Sequence, residues 1–170
     1  FFSHHTILKL MAGVLIGLPR DLFDIRIIIA DPDRATLNQV ITQFCPQDTI
    51  HVVPLDMVQA QSAIAALDLD VLIYPDMGMA PWSYGLAQSR LAPIQAVTWG
   101  HPVTTGLSTI DDFISSALIE PERAAEHYTE NLVLLPTLPS CYLSPVKPTP
   151  ISRAEAGLPL EGTLYICPQS

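Results

Sequence analysis

The chain has 170 residues, of which 49% are hydrophobic and 15% are charged, and its net charge is −9 at neutral pH. This length and composition indicate a globular domain with a substantial core and argue against intrinsic disorder. The 8 Lys and Arg residues do not cluster, which excludes a nucleic-acid footprint, and the acidic balance argues against docking on an anionic membrane.

Helix-like and strand-like segments alternate along the chain. Residues 7–18 carry apolar side chains at helical spacing, a run too short to span a membrane, and Pro19 closes this predicted helix. Further helices are predicted at 35–44, 58–67, 81–88 and 120–127, and strands at 23–30, 50–55, 70–74, 94–98, 112–115 and 132–135. This alternation predicts an α/β fold, with a Rossmann-like, mainly parallel sheet that carries helices on both faces.

The character of the sequence changes after residue 136, where prolines punctuate an extended segment. We therefore expect an amino-terminal lobe over residues 1–136 and a Pro-rich linker over residues 137–160. A second lobe is expected to start within residues 161–170, with a strand at 163–167. Both ends of the sequence look cut, and we expect the chain to be a piece of a longer protein.

The three cysteines, Cys45, Cys141 and Cys167, show neither metal-ligand spacing nor the even count of a disulfide framework. We expect them to be reduced and buried, as small apolar side chains are, in a cytoplasmic protein.

Two acidic residues and three aromatic residues have a structural interpretation that outweighs a functional one. Asp111 and Asp112 have no third metal ligand nearby in the sequence, so the solvated start of a strand is favoured over a metal site. Trp82, Tyr84 and Trp99 are able to stack on a sugar or a base, but core packing is the favoured interpretation.

The densest group of candidate binding residues follows the predicted strand at 94–98. In an open α/β sheet, the ligand crevice forms at the carboxyl ends of the strands. Glycines there allow close backbone approach, and hydroxyls and an imidazole offer hydrogen bonds. The pattern predicts binding of phosphate or sugar hydroxyls, and a polar turn without a ligand is the alternative. The group consists of Gly100, His101, Pro102, Val103, Thr104, Thr105 and Gly106.

Two smaller groups of candidates lie elsewhere. Asp76 and Gly78 follow the predicted strand at 70–74, as a binding loop or as an acidic turn. His4 and His5 precede the first helix, whose N-terminus disfavours a charged imidazole. A neutral histidine there is able to accept a proton, and the alternative is that both histidines are merely exposed.

These segments resemble the catalytic region of the O-linked N-acetylglucosamine transferases, the SPINDLY-like family. The resemblance covers most of the chain and is most specific over residues 92–106. It continues through residues 110–114 and 121–136. Upstream, His5-Thr6-Ile7 resembles the family's histidine-containing start of the catalytic region.

The resemblance implies the amino-terminal lobe of a bacterial-type, two-lobed GT-B glycosyltransferase that needs no metal ion and no cofactor. Such an enzyme transfers a sugar, here expected to be N-acetylglucosamine, from a nucleotide sugar such as UDP-N-acetylglucosamine to Ser or Thr hydroxyls of protein acceptors. In the family, tetratricopeptide repeats precede the catalytic region, and most nucleotide contacts come from the second lobe. The 170-residue chain alone is therefore expected to be inactive.

The resemblance also assigns roles to residues. His5 matches the family histidine that faces the active site and has been considered as a base. The remaining matches are substrate-binding positions, namely His101, Pro102, Thr104, Thr105 and Gly106 in the cleft loop, and Asp76 and Gly78 in an Asp-Gly element.

Two other functions remain open from the sequence. The chain is alternatively a non-catalytic α/β module that binds a protein or a nucleotide, or part of a different GT-B or epimerase-like enzyme that uses the same crevice. A downstream lobe with a diphosphate-binding helix terminus and a lysine favours the transferase, and its absence from the whole protein favours the binding module.

Overall fold

The structure, a computed structural model, describes residues 6–30, 49–143 and 147–167. Its elements alternate as an α/β fold requires. In chain order they are α1 (Thr6–Gly17), β1 (Arg26–Ala30), β2 (Thr49–Val53), α2 (Met57–Ala65), β3 (Val71–Tyr74), α3 (Pro81–Ala87), β4 (Ile94–Val97), β5 (Asp112–Ser116), a 3-10 helix (Ala124–His127) and β6 (Asn131–Leu135).

All strand pairs among the described residues are parallel, which confirms the predicted α/β class with parallel strands. The strands form a two-stranded sheet, β1–β2, and a four-stranded sheet in the order β3–β4–β5–β6. Strands β3 and β4 pair over their whole length, from Val71 with Ile94 to Tyr74 with Val97. Their carboxyl ends therefore lie level with each other.

Strand β5 is staggered against β4. Its first residue, Asp112, pairs with Ala96 near the end of β4, and also with Asn131 at the start of β6. The amino-terminal ends of β5 and β6 therefore lie beside the carboxyl end of β4. This stagger brings the residues that precede β6 within reach of the loop that follows β4.

Local sequence explains where the helices begin. Helix α2 follows Asp56, whose carboxylate accepts a hydrogen bond of 2.9 Å from the Gln59 backbone N–H, as an N-cap does. Helix α3 starts at Pro81, which has no N–H to leave unsatisfied in a first turn. The predicted helix at 120–127 is confined to a 3-10 turn at Ala124–His127. The turn and helix predicted over 31–44 lie outside the described residues.

The main core packs between the four-stranded sheet and helices α2 and α3. Its fully buried members include Ile64 of α2, Val97 of β4 and Phe113 of β5. Gln95 is also fully buried, and its amide uses all its hydrogen-bonding positions. It accepts from Leu91 N–H and the Tyr74 hydroxyl and donates to the carbonyls of Ser89 and Thr109.

The β4–β5 connection contains no helix, although the crossover between two parallel strands usually does. It consists of turns and extended chain over residues 98–111, and it ends where the Asp111 N–H donates to the Gln95 carbonyl at 2.8 Å. The sheet therefore presents an irregular loop, and not a helix, beyond the end of β4.

The segment after β6 is attached to α1. The Gly13 N–H donates to the Cys141 carbonyl at 2.9 Å, and the Cys141 N–H donates to the Leu10 carbonyl at 2.9 Å. The predicted linker thus starts with residues docked on the lobe. Cys141 and Cys167 are free thiols, but both are exposed. The prediction of buried cysteines is therefore wrong for these two, because they lie in surface segments after the last strand. Cys45 lies outside the described residues.

The strand predicted at 163–167 does not form. The side chain of Tyr165 is 95% exposed and that of Ile166 is 62% exposed. A β-strand is stable only beside a partner strand, and the described residues provide none for this segment. Within 6–30, 49–143 and 147–167, no helix combines the length and the apolar character needed to cross a bilayer.

Candidate functional site

Two loops pack closely against each other where β3 and β4 end. A Cβ atom at Gly100 would lie 2.6 Å from the Pro75 carbonyl oxygen and 2.8 Å from the Asp76 Cα, so the two backbones touch. A Cβ atom at Gly78 would lie 2.7 Å from the Cβ of His101, and Gly78 has a φ of +84°. Both positions need glycine, and the contact brings the β3 loop against His101.

A cavity of about 180 Å³ opens between these loops and the β4–β5 connection. It is partly apolar and partly polar, as small-molecule sites generally are. Its lining residues are Met77, Gly78, Tyr84, Val97, Thr98, His101, Val103, Thr104, Thr105 and Phe113.

A buried carboxylate, Glu130, holds one wall of this cavity. Its side chain accepts hydrogen bonds from the Thr104 hydroxyl at 2.7 Å, from the Thr105 N–H at 2.8 Å and from the Thr105 hydroxyl. Glu130 is 6% exposed and lies directly before β6. The residue is outside the cavity lining and contacts it through the two threonines.

Hydrogen bonding determines the ionisation of Glu130. Burial by itself would raise the pKa of this carboxyl, since it disfavours the charged form. The hydrogen bonds from Thr105 and Thr104, together with backbone N–H groups, stabilise the carboxylate and outweigh burial, so the pKa is lowered. Glu130 is therefore ionised at neutral pH and acts only as an acceptor.

The hydroxyl groups that line the cavity all donate to protein acceptors. Thr98 donates to the Ile114 carbonyl at 3.1 Å, and Tyr84 donates to the Thr105 carbonyl at 3.2 Å. Thr104 and Thr105 donate to Glu130. Among the lining side chains of the described residues, His101 is the one donor that no hydrogen bond engages.

A second polar chain lies behind the site. The Trp99 indole N–H donates to the Ser115 hydroxyl at 3.1 Å, and that hydroxyl donates to the Glu120 carboxylate at 2.6 Å. The Tyr128 hydroxyl donates to the same carboxylate oxygen at 3.0 Å. Burial, followed by the hydrogen bond to Glu120 and its negative charge, raises the pKa of Tyr128 to about 12, so this phenol keeps its proton.

The structure brings together part of the predicted site. Gly78, His101, Thr104 and Thr105 all line the cavity. Pro102 and Gly106 belong to the same loop but are exposed and outside the lining.

Asp76 lies in the turn after β3, where its carbonyl accepts from the Met79 N–H at 3.1 Å, and its side chain is not part of the lining. His4 and His5 lie outside the described residues. Ile7, near the start of α1, is buried and lines a small gap with Pro75, Thr98 and Trp99. This shared gap places the start of α1 beside the ends of β3 and β4.

The sequence prediction missed Glu130 and Phe113 as site residues. For Tyr84 it favours core packing over stacking on a sugar or a base, yet the Tyr84 hydroxyl reaches the cavity loop and its side chain lines the cavity. Glu130 is 25 residues from Thr105, and no local pattern links the two. A buried acidic residue directly before a strand is unusual, and the sequence alone does not reveal that it is buried.

Asp111 has a structural role, as the sequence interpretation favoured. It forms an ion pair with Arg90 and accepts a hydrogen bond of 2.8 Å from the Gln95 N–H. The hydrogen bond to Arg90, followed by that to the Gln95 backbone, lowers the pKa of Asp111. In the part of the chain that the structure describes, no group of three or more His, Cys, Asp or Glu side chains is placed to hold a metal ion.

The chain is similar in sequence to plant proteins. It is 38% identical over 102 residues to the "Probable UDP-N-acetylglucosamine--peptide N-acetylglucosaminyltransferase SPINDLY" of Eustoma exaltatum subsp. russellianum, covering 56% of this chain and 11% of that protein. It is 35% identical over 103 residues to the protein of the same name from Solanum lycopersicum, covering 60% of this chain and 11% of that protein. The match thus spans a small part of each relative.

The fold is similar to that of a solved mutant O-GlcNAc transferase from Thermobaculum terrenum. The TM-score is 0.69, with 19% sequence identity, over 82% of this chain and 26% of that one. At this identity the similarity shows the fold, and it agrees with the predicted lobe of a GT-B enzyme. No family model matches the chain. Together, the plant relatives and this fold confirm the resemblance to SPINDLY-like transferases.

Proposed function

Because this chain is homologous to the SPINDLY-like O-GlcNAc transferases, we propose that it is the amino-terminal catalytic lobe of a protein glycosyltransferase. The reaction transfers a sugar, N-acetylglucosamine, from a nucleotide sugar to Ser or Thr hydroxyls of proteins. The observation that carries this proposal is the 38% identity to a relative with that name, over 56% of the chain. The cavity at the loop where the resemblance is most specific supports it.

The proposed reaction is a displacement at the anomeric carbon of the sugar. The acceptor oxygen bonds to that carbon, the bond from the carbon to the diphosphate oxygen breaks, and the diphosphate leaves with the bonding electrons. His5 orients the acceptor hydroxyl or takes its proton. Ile7 is buried and lines one small gap with Pro75 and Trp99, which supports this role because it brings the start of α1 near the cavity loops.

The His101–Gly106 loop positions the acceptor or the sugar in this proposal. Holding two reactants in line supplies a large part of the reduction in the barrier. Oriented N–H donors stabilise the charge that develops on the departing diphosphate without a metal ion. We assign most of those donors to the second lobe, as the resemblance implies. We keep Asp76, Pro102 and Gly106 as predicted contacts to the substrate at the edge of the site.

The alternative function is a module that binds a protein or nucleotide without chemistry. Among the lining side chains of the described residues, only His101 has the chemistry of a general base. If neither His5 nor His101 takes part in the reaction, this lobe supplies binding alone. Sugar transfer by the full-length protein separates the two functions, because a binding module transfers none.

The experiment that tests the proposed function uses the full-length protein. It is incubated with candidate nucleotide sugars, UDP-N-acetylglucosamine and GDP-fucose among them, and with acceptor proteins, whose Ser and Thr residues are then examined by mass spectrometry. We expect addition of one sugar, and the donor that supports it identifies the substrate. No transfer from any donor would reject the enzyme and favour the binding module. The 170-residue chain alone serves as a control and is expected to be inactive.

We also propose partners and a location for the protein. Its partners are a protein acceptor and a nucleotide sugar. The full-length chain carries tetratricopeptide repeats elsewhere, and the protein is cytoplasmic. The similarity to SPINDLY-named proteins supports the first two partners.

A further inference from the structure

We infer that Glu130 is a positioning residue, which orients the Thr104–Thr105 turn so that its hydroxyl protons face away from the cavity. The inference rests on the proposed function only in taking the ligand of the cavity to be a sugar or an acceptor hydroxyl. It concerns which atoms of the cavity wall are able to donate a hydrogen bond to that ligand and which are able to accept one.

The geometry of the turn leaves no freedom for the two hydroxyl protons. Each hydroxyl has one proton, and the ionised, buried carboxylate of Glu130 receives both. The same carboxylate also holds the Thr105 backbone through its N–H at 2.8 Å. Charge-assisted hydrogen bonds are about twice as strong as neutral ones, so a neutral ligand oxygen does not displace them.

The acceptor positions of the two hydroxyls differ. Thr104 Oγ1 accepts from the Thr129 N–H at 3.1 Å and lies 2.8 Å from the Thr129 hydroxyl, which must donate because the Thr104 proton is on Glu130. Both lone pairs of Thr104 are therefore used. Thr105 Oγ1 accepts from the Leu107 N–H at 3.1 Å and keeps one lone pair. Thr104 is thus a structural residue of the wall, and Thr105 is an acceptor.

This arrangement selects the chemistry of the ligand. A sugar hydroxyl or an acetamido N–H donates to the free lone pair of Thr105, whereas a phosphate oxygen has no proton to donate and is repelled by it. An accepting atom of the ligand has one side-chain donor to meet in the described lining, the imidazole of His101. The structure assigns the Thr105 side of the cavity to a neutral, hydrogen-bond-donating group and not to the diphosphate.

The test uses the full-length protein with Glu130→Gln, and with Glu126→Gln as a matched control. Glu126 carries the same side chain four residues earlier, in an exposed ion pair with Arg123. The first readout is amide hydrogen exchange at Thr105, and the second is kcat/KM for sugar transfer at a temperature where every variant is folded. We expect exchange to rise at least tenfold in Glu130→Gln and kcat/KM to fall on the order of 10- to 100-fold, as misplacement by about 1 Å does.

The variants separate positioning from mere stability. A stability role would lower Tm but leave kcat/KM of the folded protein unchanged. Glu130→Asp keeps the charge on a shorter side chain, and we expect smaller changes in the same direction.

Each outcome decides the inference. Unchanged Thr105 exchange and kcat/KM in folded Glu130→Gln would overturn it, and so would failure of both Glu130 variants to fold. If the wild-type protein transfers no sugar, the proposed function fails, and the exchange rates still decide whether Glu130 orients the turn.

Discussion

Glu130 accepts hydrogen bonds from both the backbone N–H and the hydroxyl of Thr105, although 25 residues separate the two in sequence. The stagger of β5 against β4 makes this contact geometrically possible, because it places the start of β6 beside the end of β4. One carboxylate thereby joins the cavity loop to the last strand of the sheet.

Replacing Glu130 by Gln is expected to lower the free energy of unfolding by about 1–3 kcal/mol at pH 7, because a buried N–H and two hydroxyls lose a charged acceptor. The pKa of Glu130 is lowered by folding, so its contribution is present above the unfolded-state pKa of about 4.3 and is lost as pH falls through the folded-state value. Urea unfolding measured between pH 7 and pH 3 should therefore show the difference from wild type shrinking in acid. Glu126→Gln, at an exposed site, is expected to change little at either pH.

Replacing Gly78 by Ala is expected to destabilise the protein by about 1–3 kcal/mol, the usual range for a residue forced into a strained conformation. Its φ is +84°, and the added Cβ would lie 2.7 Å from the Cβ of His101. Sugar transfer should fall as well, since the displaced His101 lines the cavity. The matched control is Gly17→Ala at the end of α1, where no atom lies within 4 Å of the added Cβ and φ is not positive. Equal Tm values for both variants would contradict the close packing of the two loops.

Replacing Gln95 by Leu is expected to lower the free energy of unfolding by about 1–3 kcal/mol for each buried group left unpaired. Burial of the more apolar leucine side chain offsets part of this loss. The groups that lose their partner are the Leu91 N–H, the Tyr74 hydroxyl and the carbonyls of Ser89 and Thr109. Chemical denaturation measures the change. Gln59→Leu, at an exposed position of α2, controls for the chemistry of the substitution, and a similar cost at both sites would argue against the network around Gln95.

Replacing His101 by Leu is expected to raise KM for the ligand on the order of tenfold, because the cavity loses the one free side-chain donor of its described lining and each hydrogen bond contributes about 1 kcal/mol. His101→Gln keeps an N–H donor and should retain most of the affinity. Steady-state kinetics on the full-length protein distinguish the two. Identical KM values for the Leu and Gln variants would show that donation by His101 is not used.

Replacing His5 by Ala is expected to lower kcat by about 100-fold or more, the usual contribution of a general base. The measurement is sugar transfer by the full-length protein at saturating donor. His127→Ala is the control, since His127 lies exposed on the 3-10 helix. Unchanged turnover in His5→Ala would reject the role of His5 as base or orienting group.

Much of the architecture was predictable from periodicity and from β-branched runs. The strands at 71–74, 94–97 and 131–135 agree with the predicted ranges within one residue, and the strand at 26–30 ends where predicted but begins three residues later. Apolar runs of this length favour strands because a sheet buries them. The prediction of a strand at 163–167 is wrong. Its residues have the composition of a strand, but the described structure offers them no partner strand. Of the helix predicted at 120–127, only a single 3-10 turn forms.

The candidate site was only partly predictable. The glycine-flanked loop with His101 and Thr105 was visible in sequence because it directly follows a strand. The direction of its hydroxyl protons was not visible, because it depends on Glu130 and therefore on the packing of a distant segment.

The sequence by itself determined the α/β class, the alternation of elements and the loop that carries the site. These properties depend on local propensity and on burial of apolar side chains, which act over a few neighbouring residues. The tertiary structure alone decided the stagger of β5, the splitting of the strands between two sheets and the contact of Glu130 with Thr105. Such features arise from hydrogen bonds and packing between residues far apart in the chain, which no local pattern encodes.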